Sequence, residues 1–491
     1  MPTLLLSLVS AALAFAAWRI DARHVASVSF GLLGLWQVYC AIGAKPRKRS
    51  PVILRFGGFS WDTYSFCRGW LITGQIGTGK TAAAINTMLW QVSKNCPNWG
   101  GVCIDDKGVY WETLSTMMRH LGRSSDLVLL QVRPTNAPAN WKPQHCFNFL
   151  DNPHLPYSAK AKIICDVAAA LGQRTEQSFF KLQAQVQMEF AFKALHATKM
   201  PVNLESAYEL LSSEGMLADV VGRLSKIGSQ EAEDLLDHYD DNFKSQPAEQ
   251  LGGVKTTIAN YLKYFTDPHI AEVFCSVGPS FDFDEIDRGK IICVSIPQRF
   301  TVERRYINTL LKLTYYSHAL RRFDKPQSER AKNNLLILWA DEAQKIVTAS
   351  EDGMSDYNVV DVIREARATV VAATQSYSAL IPPMGDERKA KVFIANMANR
   401  VTFCAADEDS AKIAADTIGK RKSKRRTTGW SGGKRTTSLT EEDKYYLEPH
   451  EIRRLRRFEA VVQHCDSGFR RVKLPPIGAD GLVPAWYKNS K

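Results

Sequence analysis

The stretch that decides the fold is Gly74-Gln75-Ile76-Gly77-Thr78-Gly79-Lys80-Thr81, which matches the pattern G-x-x-x-x-G-K-[ST]. It follows the short apolar run Trp70–Thr73 and leads into Thr81–Val92, where three consecutive alanines favour a helix. Strand, glycine loop and helix in this order open an α/β nucleotide-binding domain. Glycines let backbone N–H groups surround phosphate oxygens, and the N-terminus of the helix favours the anion. The sequence therefore predicts a phosphate-binding loop.

The last two residues of the loop have specific predicted roles. In this motif the lysine, here Lys80, reaches the β- and γ-phosphates of ATP, and the hydroxyl of Thr81 coordinates Mg²⁺. The alternative is a glycine turn that binds no ligand, and the flanking strand and helix argue against it. ATP and Mg²⁺ are therefore the expected ligands, with these residues around the nucleotide: Gly74, Gln75, Ile76, Gly77, Thr78, Gly79, Lys80 and Thr81.

A hydrolase of this type also needs a carboxylate at the end of a neighbouring strand. The apolar run Leu335–Ala340 ends in Asp341-Glu342 and supplies one. We expect Asp341 to hold the Mg²⁺ through its water shell, and Glu342 to orient and deprotonate the attacking water. In isolation this run would equally suit a strand that ends in a solvated acidic turn. Beside the glycine loop, the two motifs form complementary halves of one hydrolytic site.

A further strand, Thr369–Ala373, has candidate residues on both sides. Gln375 follows it and is predicted to sense the γ-phosphate or the attacking water, with a surface turn as the alternative. Arg364 and Arg367 precede it. Either arginine is a candidate finger that reaches the ATP of a neighbouring subunit, although most arginines in such places are only surface charges.

The remaining patterns predict a split α/β domain. Further strand-like runs occur at Val52–Phe56 and Val102–Ile104, and they return at Lys290–Ile296 and Arg400–Cys404. Apolar runs that alternate with helices predict a parallel sheet buried on both faces. We predict two parts of a nucleotide-binding domain at residues 51–156 and 276–491, with a basic mobile loop at 419–443. Between the two parts, helical spacing predicts an all-helical insertion domain at residues 157–275.

Composition limits the class of protein and its partners. The chain has 491 residues, 45% hydrophobic and 23% charged, which allows two or three folded domains. Lys and Arg outnumber Asp and Glu by 63 to 51, and this excess favours nucleic acid or an anionic membrane as partner. A basic protein without such a partner is the alternative. Ten scattered cysteines without a C-x-x-C pair predict reduced thiols, with neither a disulfide framework nor a zinc site.

The first 50 residues have a different character. Two charge-free apolar stretches, at about 3–18 and 25–44, are followed by a basic cluster at Lys45–Arg49. We predict an N-terminal transmembrane helical hairpin whose basic linker keeps the rest of the chain on the cytoplasmic side. A cleaved signal peptide and two buried soluble helices are the alternatives.

In this order the motifs resemble the TraG/TraD family of coupling proteins in bacterial conjugation and type IV secretion, within the FtsK/HerA class of hexameric DNA pumps. The resemblance extends from the hairpin to about Pro475. It includes Asp105, Lys107 and Gly108, which match a D-x-K-G signature, and the late segment Tyr445–Arg457. It implies that Lys80 and Thr81 bind ATP and Mg²⁺ and that Asp341 and Glu342 form the Walker B pair. It also aligns Gln375 with the family's glutamine and Arg364, eleven residues earlier, with its finger arginine.

The resemblance further implies a RecA-like P-loop NTPase domain that carries the all-helical domain and assembles as a homohexamer. Such a ring would sit at the bacterial inner membrane as a multi-pass protein, in contact with lipid, with its ATPase domain in the cytoplasm. It would pump single-stranded DNA, with its attached relaxase, to the inner-membrane components of a type IV secretion channel. Departures from the family pattern are Asp106, where proline is common, and Val109, where an acidic residue is common.

Three other functions stay open from the sequence. The same motor would serve an ATPase that couples effector proteins to a secretion channel. An FtsK-like double-stranded DNA translocase is disfavoured, because no terminal winged-helix module is recognisable. A scaffold that binds ATP without hydrolysing it has no need of Glu342.

Overall fold

The computed structural model describes residues 51–171, 178–351, 353–431 and 434–488. The predicted membrane hairpin lies outside these ranges, and within them no helix combines the length and apolarity needed to cross a membrane. The strands are β1 (Val52–Phe56), β2 (Phe59–Asp62), β3 (Trp70–Thr73), β4 (Gly100–Asp105), β5 (Leu127–Gln131), β6 (Ile291–Ser295), β7 (Leu336–Asp341), β8 (Ala368–Thr374), β9 (Asn399–Thr402), β10 (Lys420–Ser431), β11 (Lys434–Tyr445), β12 (Glu459–His464) and β13 (Gly468–Lys473).

Helices fill most of the sequence between the strands. In chain order they are α1 (Thr63–Phe66), α2 (Asn86–Asn95), α3 (Tyr110–His120), α4 (Tyr157–Ala170), α5 (Ser178–Ala197), α6 (Leu204–Ser212), α7 (Glu214–Leu224), α8 (Gln230–Tyr239), α9 (Ala248–Leu262), α10 (Pro268–Phe274), α11 (Thr301–Arg321), α12 (Gln327–Arg330), α13 (Asp356–Val359), α14 (Ile381–Met384), α15 (Glu387–Asn396), α16 (Glu408–Ile418), α17 (Pro449–Ile452) and α18 (Ala485–Lys488).

A nine-stranded sheet forms the centre of the fold, in the order β13-β12-β9-β3-β8-β7-β4-β6-β5. The strands from β9 to β5 are parallel, as the alternation of apolar runs and helices predicts. The prediction of a purely parallel sheet is wrong at one edge, where β12 pairs antiparallel with both β9 and β13. A turn of three residues joins β12 to β13, which is long enough for a hairpin but too short for a parallel crossover.

The central strands are buried on both faces. Along β7, for example, Leu336 and Leu338 face one hydrophobic core, while Ile337 and Trp339 face the other. Continuous apolar runs of this kind are required when helices cover both sides of a sheet. Polar side chains are therefore displaced to the strand ends, and this displacement assembles the candidate site.

Residues 157–275, predicted as an insertion domain, contain the seven helices from α4 to α10 and, in their described part, no strand. The apolar faces of these helices share one hydrophobic core with one face of the sheet; Ile164 and Phe192 belong to the same cluster as Leu338. The boundaries of the insertion as a separate domain stay a prediction.

Residues 419–443 are predicted to be a mobile loop; β10 (Lys420–Ser431) and β11 (Lys434–Tyr445) lie largely within this range and pair antiparallel along their whole lengths. Basic residues of β10 lie opposite acidic residues of β11; Lys424 Nζ is 3.9 Å from a carboxylate oxygen of Glu441. Opposite charges in facing positions stabilise an antiparallel pair. The polar composition of this segment is thus compatible with paired strands, and its mobility stays a prediction.

A buried ion pair holds the segment that follows β7. The ammonium group of Lys312, on α11, pairs with the carboxylate of Asp356, and the two side chains are only 1% and 4% exposed. Asp356 also accepts a hydrogen bond from Tyr316 Oη at 2.5 Å and one from the backbone N–H of Thr348 at 2.8 Å. Lys312 Nζ donates to the carbonyl of Ile346 at 2.5 Å. These bonds anchor the chain shortly after the Asp341-Glu342 pair.

We expect Asp356→Ala to lower the free energy of unfolding by about 3–5 kcal/mol, because it leaves Lys312 buried and unpaired. Urea unfolding of the purified protein measures this change. The matched control is Asp361→Ala, which removes an exposed carboxylate five residues away. Equal stability losses in the two variants would show that the buried pair does not hold this segment.

Candidate functional site

The glycine loop Gly74–Thr81 follows the carboxyl end of β3, which lies between β8 and β9 in the sheet. Lys80 Nζ donates to the carbonyl oxygens of Gly74, at 2.6 Å, and Gln75, at 3.3 Å. These bonds hold the ammonium group within the curve of the loop. Burial lowers the pKa of Lys80, and the nearby carboxylates of Glu342 and Asp341 oppose that shift.

The chain after the loop begins with a wider helical turn. The predicted helix Thr81–Val92 starts as a π-helical turn over Lys80–Ile85, because the N–H of Asn86 bonds the carbonyl of Thr81 five residues back. The carbonyl of Ala82 then accepts a hydrogen bond from the N–H of Ile477 at 3.0 Å. The C-terminal segment is thereby fastened to the first turn after the glycine loop.

The two halves of the predicted site meet at Thr81 and Asp341. The hydroxyl of Thr81 donates to a carboxylate oxygen of Asp341 at 3.0 Å, although 260 residues separate them in sequence. Hydroxyl and carboxylate oxygens are the hard ligands that Mg²⁺ prefers, and this pair lies close enough to serve one cation. Burial raises the pKa of Asp341, and the adjacent carboxylates of Asp105 and Glu342 raise it further. A bound divalent cation would offset this concentration of negative charge.

Glu342 and Gln375 are also neighbours. Gln375 Nε2 donates to Glu342 Oε2 at 3.3 Å, and Gln344 Nε2 donates to the same oxygen at 2.5 Å. The backbone of Glu342 is left-handed, with φ of 52°, which is uncommon outside glycine. This conformation turns the chain directly after β7, and the N–H of Glu342 donates to Asp341 Oδ1 at 3.0 Å. The carboxylate and the amide thus form a polar pair at the end of two adjacent strands.

The signature Asp105-x-Lys107-Gly108 forms a tight turn at the end of β4. The carboxylate of Asp105 accepts hydrogen bonds from the backbone N–H groups of Lys107, Val109 and Tyr110 at 2.9–3.1 Å. The turn places Lys107 in the wall of the cleft that contains Lys80. It also explains the glycine, because Gly108 has φ of +69° and a Cβ there would lie 2.7 Å from the carbonyl oxygen of Ile296.

The two candidate finger arginines lie near the amino ends of the parallel strands, whereas the glycine loop lies at their carboxyl ends. Both precede β8, whereas Gln375 follows it, so the length of the strand, about 20 Å, separates them from the site of their own chain. Arg367 donates to the carbonyl of Ala331 at 2.7 Å, and its own carbonyl accepts from the N–H of Leu336, which are structural contacts. Arg364 is half-buried and lies over the ring of Tyr64 at 5.8 Å.

Sequence reasoning missed one wall of the cleft. A cavity of about 330 Å³ is lined by Lys80, Thr81, Asp341, Glu342 and Gln375, and also by Arg457, Phe458 and Trp486. The last three come from the C-terminal part of the chain, more than 370 residues after the loop. Arg457 ends the late segment that supports the family resemblance, but no spacing relates these three residues to the glycine motif.

The turn geometry predicts the effect of Gly108→Ala. A left-handed conformation costs an alanine about 1–2 kcal/mol, and the clash with the Ile296 carbonyl adds to that cost. We expect a loss of stability above this range in urea unfolding. Gly222→Ala is the matched control, since Gly222 lies in α7 with open space around its Cα and should gain stability from the helix propensity of alanine. A neutral Gly108→Ala variant would contradict the described turn.

Solved structures of a conjugation protein share this fold. The bacterial conjugative coupling protein TrwBdeltaN70, unbound, is similar with a TM-score of 0.63 and 15% identity over 89% of this chain and 91% of that chain. The plasmid coupling protein TrwB in complex with a non-hydrolysable ATP analogue, ADPNP, has a TM-score of 0.61 and 16% identity over 89% and 92%. TrwB in complex with ADP and Mg²⁺ has a TM-score of 0.59 and 14% identity over the same shares. At these identities the likeness supports the fold alone.

A comparison with curated proteins finds no sequence match to this chain. A family model described as type IV secretory system conjugative DNA transfer matches residues 47–466, which include the glycine loop and the Asp341-Glu342 pair. The match covers most of the 491 residues and confirms the resemblance drawn from the motifs. The chain belongs to the type IV secretory system conjugative DNA transfer family.

Proposed function

We propose that this chain is an inner-membrane coupling ATPase, which uses ATP hydrolysis to pump single-stranded DNA, with its attached relaxase, into a type IV secretion channel. The observation that carries the proposal is the 3.0 Å contact between Thr81 and Asp341. It unites the phosphate-binding loop with the carboxylate pair, in a chain whose family is defined by conjugative DNA transfer. The presence of both halves supports hydrolysis, because a scaffold that only binds ATP has no need of Glu342.

Each residue has a task in that reaction. Lys80 would bind the β- and γ-phosphates, and Thr81 and Asp341 would hold the Mg²⁺. The cation would neutralise charge that develops on the phosphate oxygens. Glu342 would accept the proton of the attacking water. Gln375, which already donates to Glu342, would orient that carboxylate and the water.

The position of Arg364 supports a ring of subunits. It lies at the far edge of the sheet from the glycine loop of its own chain. An arginine finger that acts in trans reaches the ATP of a neighbouring subunit. A position away from the glycine loop of its own chain is compatible with that role. We therefore propose a homohexamer in which Arg364 reaches the ATP of the next subunit.

Charge supports a nucleic-acid cargo. The chain carries a formal net charge of +12, and the basic run Lys420–Arg426 lies on β10, where its lysine and arginine side chains are exposed. Lysine and arginine of this kind bind phosphate backbones without sequence preference. Residues 1–50, with their two apolar stretches and basic linker, would anchor the ring in lipid beside the inner-membrane components of the channel and keep the ATPase domain cytoplasmic.

We expect the purified full-length chain in detergent to hydrolyse ATP, and single-stranded DNA to stimulate the rate several-fold. Lys80→Ala should abolish both rates, because it removes the cation that binds the phosphates. Steady-state phosphate release with and without DNA is the measurement. Hydrolysis that depends on Lys80 but is indifferent to DNA would favour effector proteins as cargo. Equal stimulation by double-stranded DNA would favour an FtsK-like translocase.

Glu342→Gln separates a motor from an ATP-binding scaffold. We expect this variant to bind ATP with the affinity of the wild type and to lose at least about 100-fold in turnover, since the amide cannot take the proton of the water. ATP affinity and phosphate release are measured on the same preparation. Glu329→Gln, an exposed residue of α12, is the control and should match the wild type. Unchanged turnover in Glu342→Gln would exclude the proposed role of Glu342.

A further inference from the structure

An aromatic wall formed by Phe458 and Trp486 lines the cleft beside the glycine loop. The two ring centroids are 5.8 Å apart, with an angle of 36° between the ring planes. The guanidinium carbon of Arg457 lies 4.8 Å from the Phe458 ring and 5.5 Å from the Trp486 ring. The hydrolytic chemistry described above uses none of these three side chains.

The wall and the catalytic carboxylates approach the glycine loop at different points. Asp341 meets the loop at the hydroxyl of Thr81. Phe458 meets it at Gly79, where an added Cβ would lie 2.5 Å from the Phe458 ring, and at Thr78, whose carbonyl accepts from the Phe458 N–H at 3.0 Å. The cleft therefore has a charged part that suits phosphates and an aromatic part that suits a flat apolar group.

The backbone holds this wall in an unusual conformation. Phe458 has φ of 66°, in the left-handed region that a bulky side chain rarely occupies. Two hydrogen bonds fix it there: its N–H donates to Thr78, and its carbonyl accepts from the N–H of Leu474 at 2.7 Å. Such conformations persist where surrounding contacts enforce them, and they are enriched at binding sites.

The exposed aromatic surface of this wall belongs to Trp486. Phe458 is only 4% exposed, whereas Trp486 is 51% exposed and also borders the cleft. The neighbouring Tyr487 is buried, and its ring packs edge-on against Phe458 at 5.4 Å, which fixes the short helix α18. A large indole held in place with half its surface open is suited to stacking on a planar ligand.

We propose that Trp486 and Arg457, supported by Phe458, form the pocket for the purine base of ATP. The inference rests on the proposed function, since it adds base recognition to the same nucleotide site. The base stacks on the indole of Trp486, and the planar guanidinium group of Arg457 covers the base. Affinity for ATP thus comes from two separable sources, the phosphate loop and the C-terminal aromatic wall.

The test compares two probes that share a triphosphate, of which only ATP carries a nucleoside; the Trp486 variants then report on the base-stacking part of that nucleoside. ATP and inorganic tripolyphosphate are titrated into the purified full-length chain by calorimetry, with wild type, Trp486→Ala and Trp486→Phe. We expect Trp486→Ala to weaken ATP binding about tenfold, as the loss of one aromatic–base stack does, and to leave tripolyphosphate binding unchanged. Trp486→Phe should restore most of the affinity for ATP. ATP should also change the tryptophan emission of the wild type more than that of Trp486→Phe, which keeps ten of the eleven tryptophans.

Tyr446→Ala is the matched control, because it removes a similarly exposed aromatic ring, 50% exposed, that does not line the cleft. It should bind both probes like the wild type. Unchanged ATP affinity in Trp486→Ala, or an equal loss for both probes, would overturn the base pocket while leaving the ATPase proposal intact. A wild-type protein that binds neither probe would overturn both.

Discussion

The parallel register of β3, β8, β7 and β4 is the constraint on which the site depends. Thr73 lies opposite Thr374, and Asp105 lies opposite Asp341, so the carboxyl ends of these strands form one edge. The strands are buried on both faces, and charged groups are tolerated only where the strands end. The glycine loop, the Asp105 turn, the Asp341-Glu342 pair and Gln375 are therefore brought to the same place, although they are distant in sequence.

The concentration of charge at this edge has an energetic consequence. Asp341 and Glu342 are adjacent, Asp105 is close to Asp341, and burial disfavours the ionised form of Asp341. Lys80 supplies one compensating positive charge, and a divalent cation would supply two more. The same arrangement that is unfavourable for the protein alone is favourable for a complex with nucleotide and metal. Binding is therefore expected to stabilise this edge of the sheet.

Supports for the site come from elements remote from the motifs. The Lys312–Asp356 pair anchors the segment after β7 and thereby fixes the position of the chain that follows Glu342. The C-terminal segment is bound to the first helical turn after the glycine loop through Ile477, and it carries the aromatic wall to the cleft. The late segment thus packs directly against the glycine loop.

The sequence by itself determined the glycine loop, the carboxylate pair, Gln375 and the α/β class, because each is local. An apolar run that ends in glycine or in an acidic residue can be recognised from the sequence alone. The order of the motifs identified the family. Only the tertiary structure decided the antiparallel edge of β12 and β13 and the pairing of β10 with β11, since strand direction and cross-strand charge depend on pairing. The tertiary structure alone placed Arg457, Phe458 and Trp486 beside the glycine loop. Contacts between distant segments arise from packing, and no sequence periodicity predicts them.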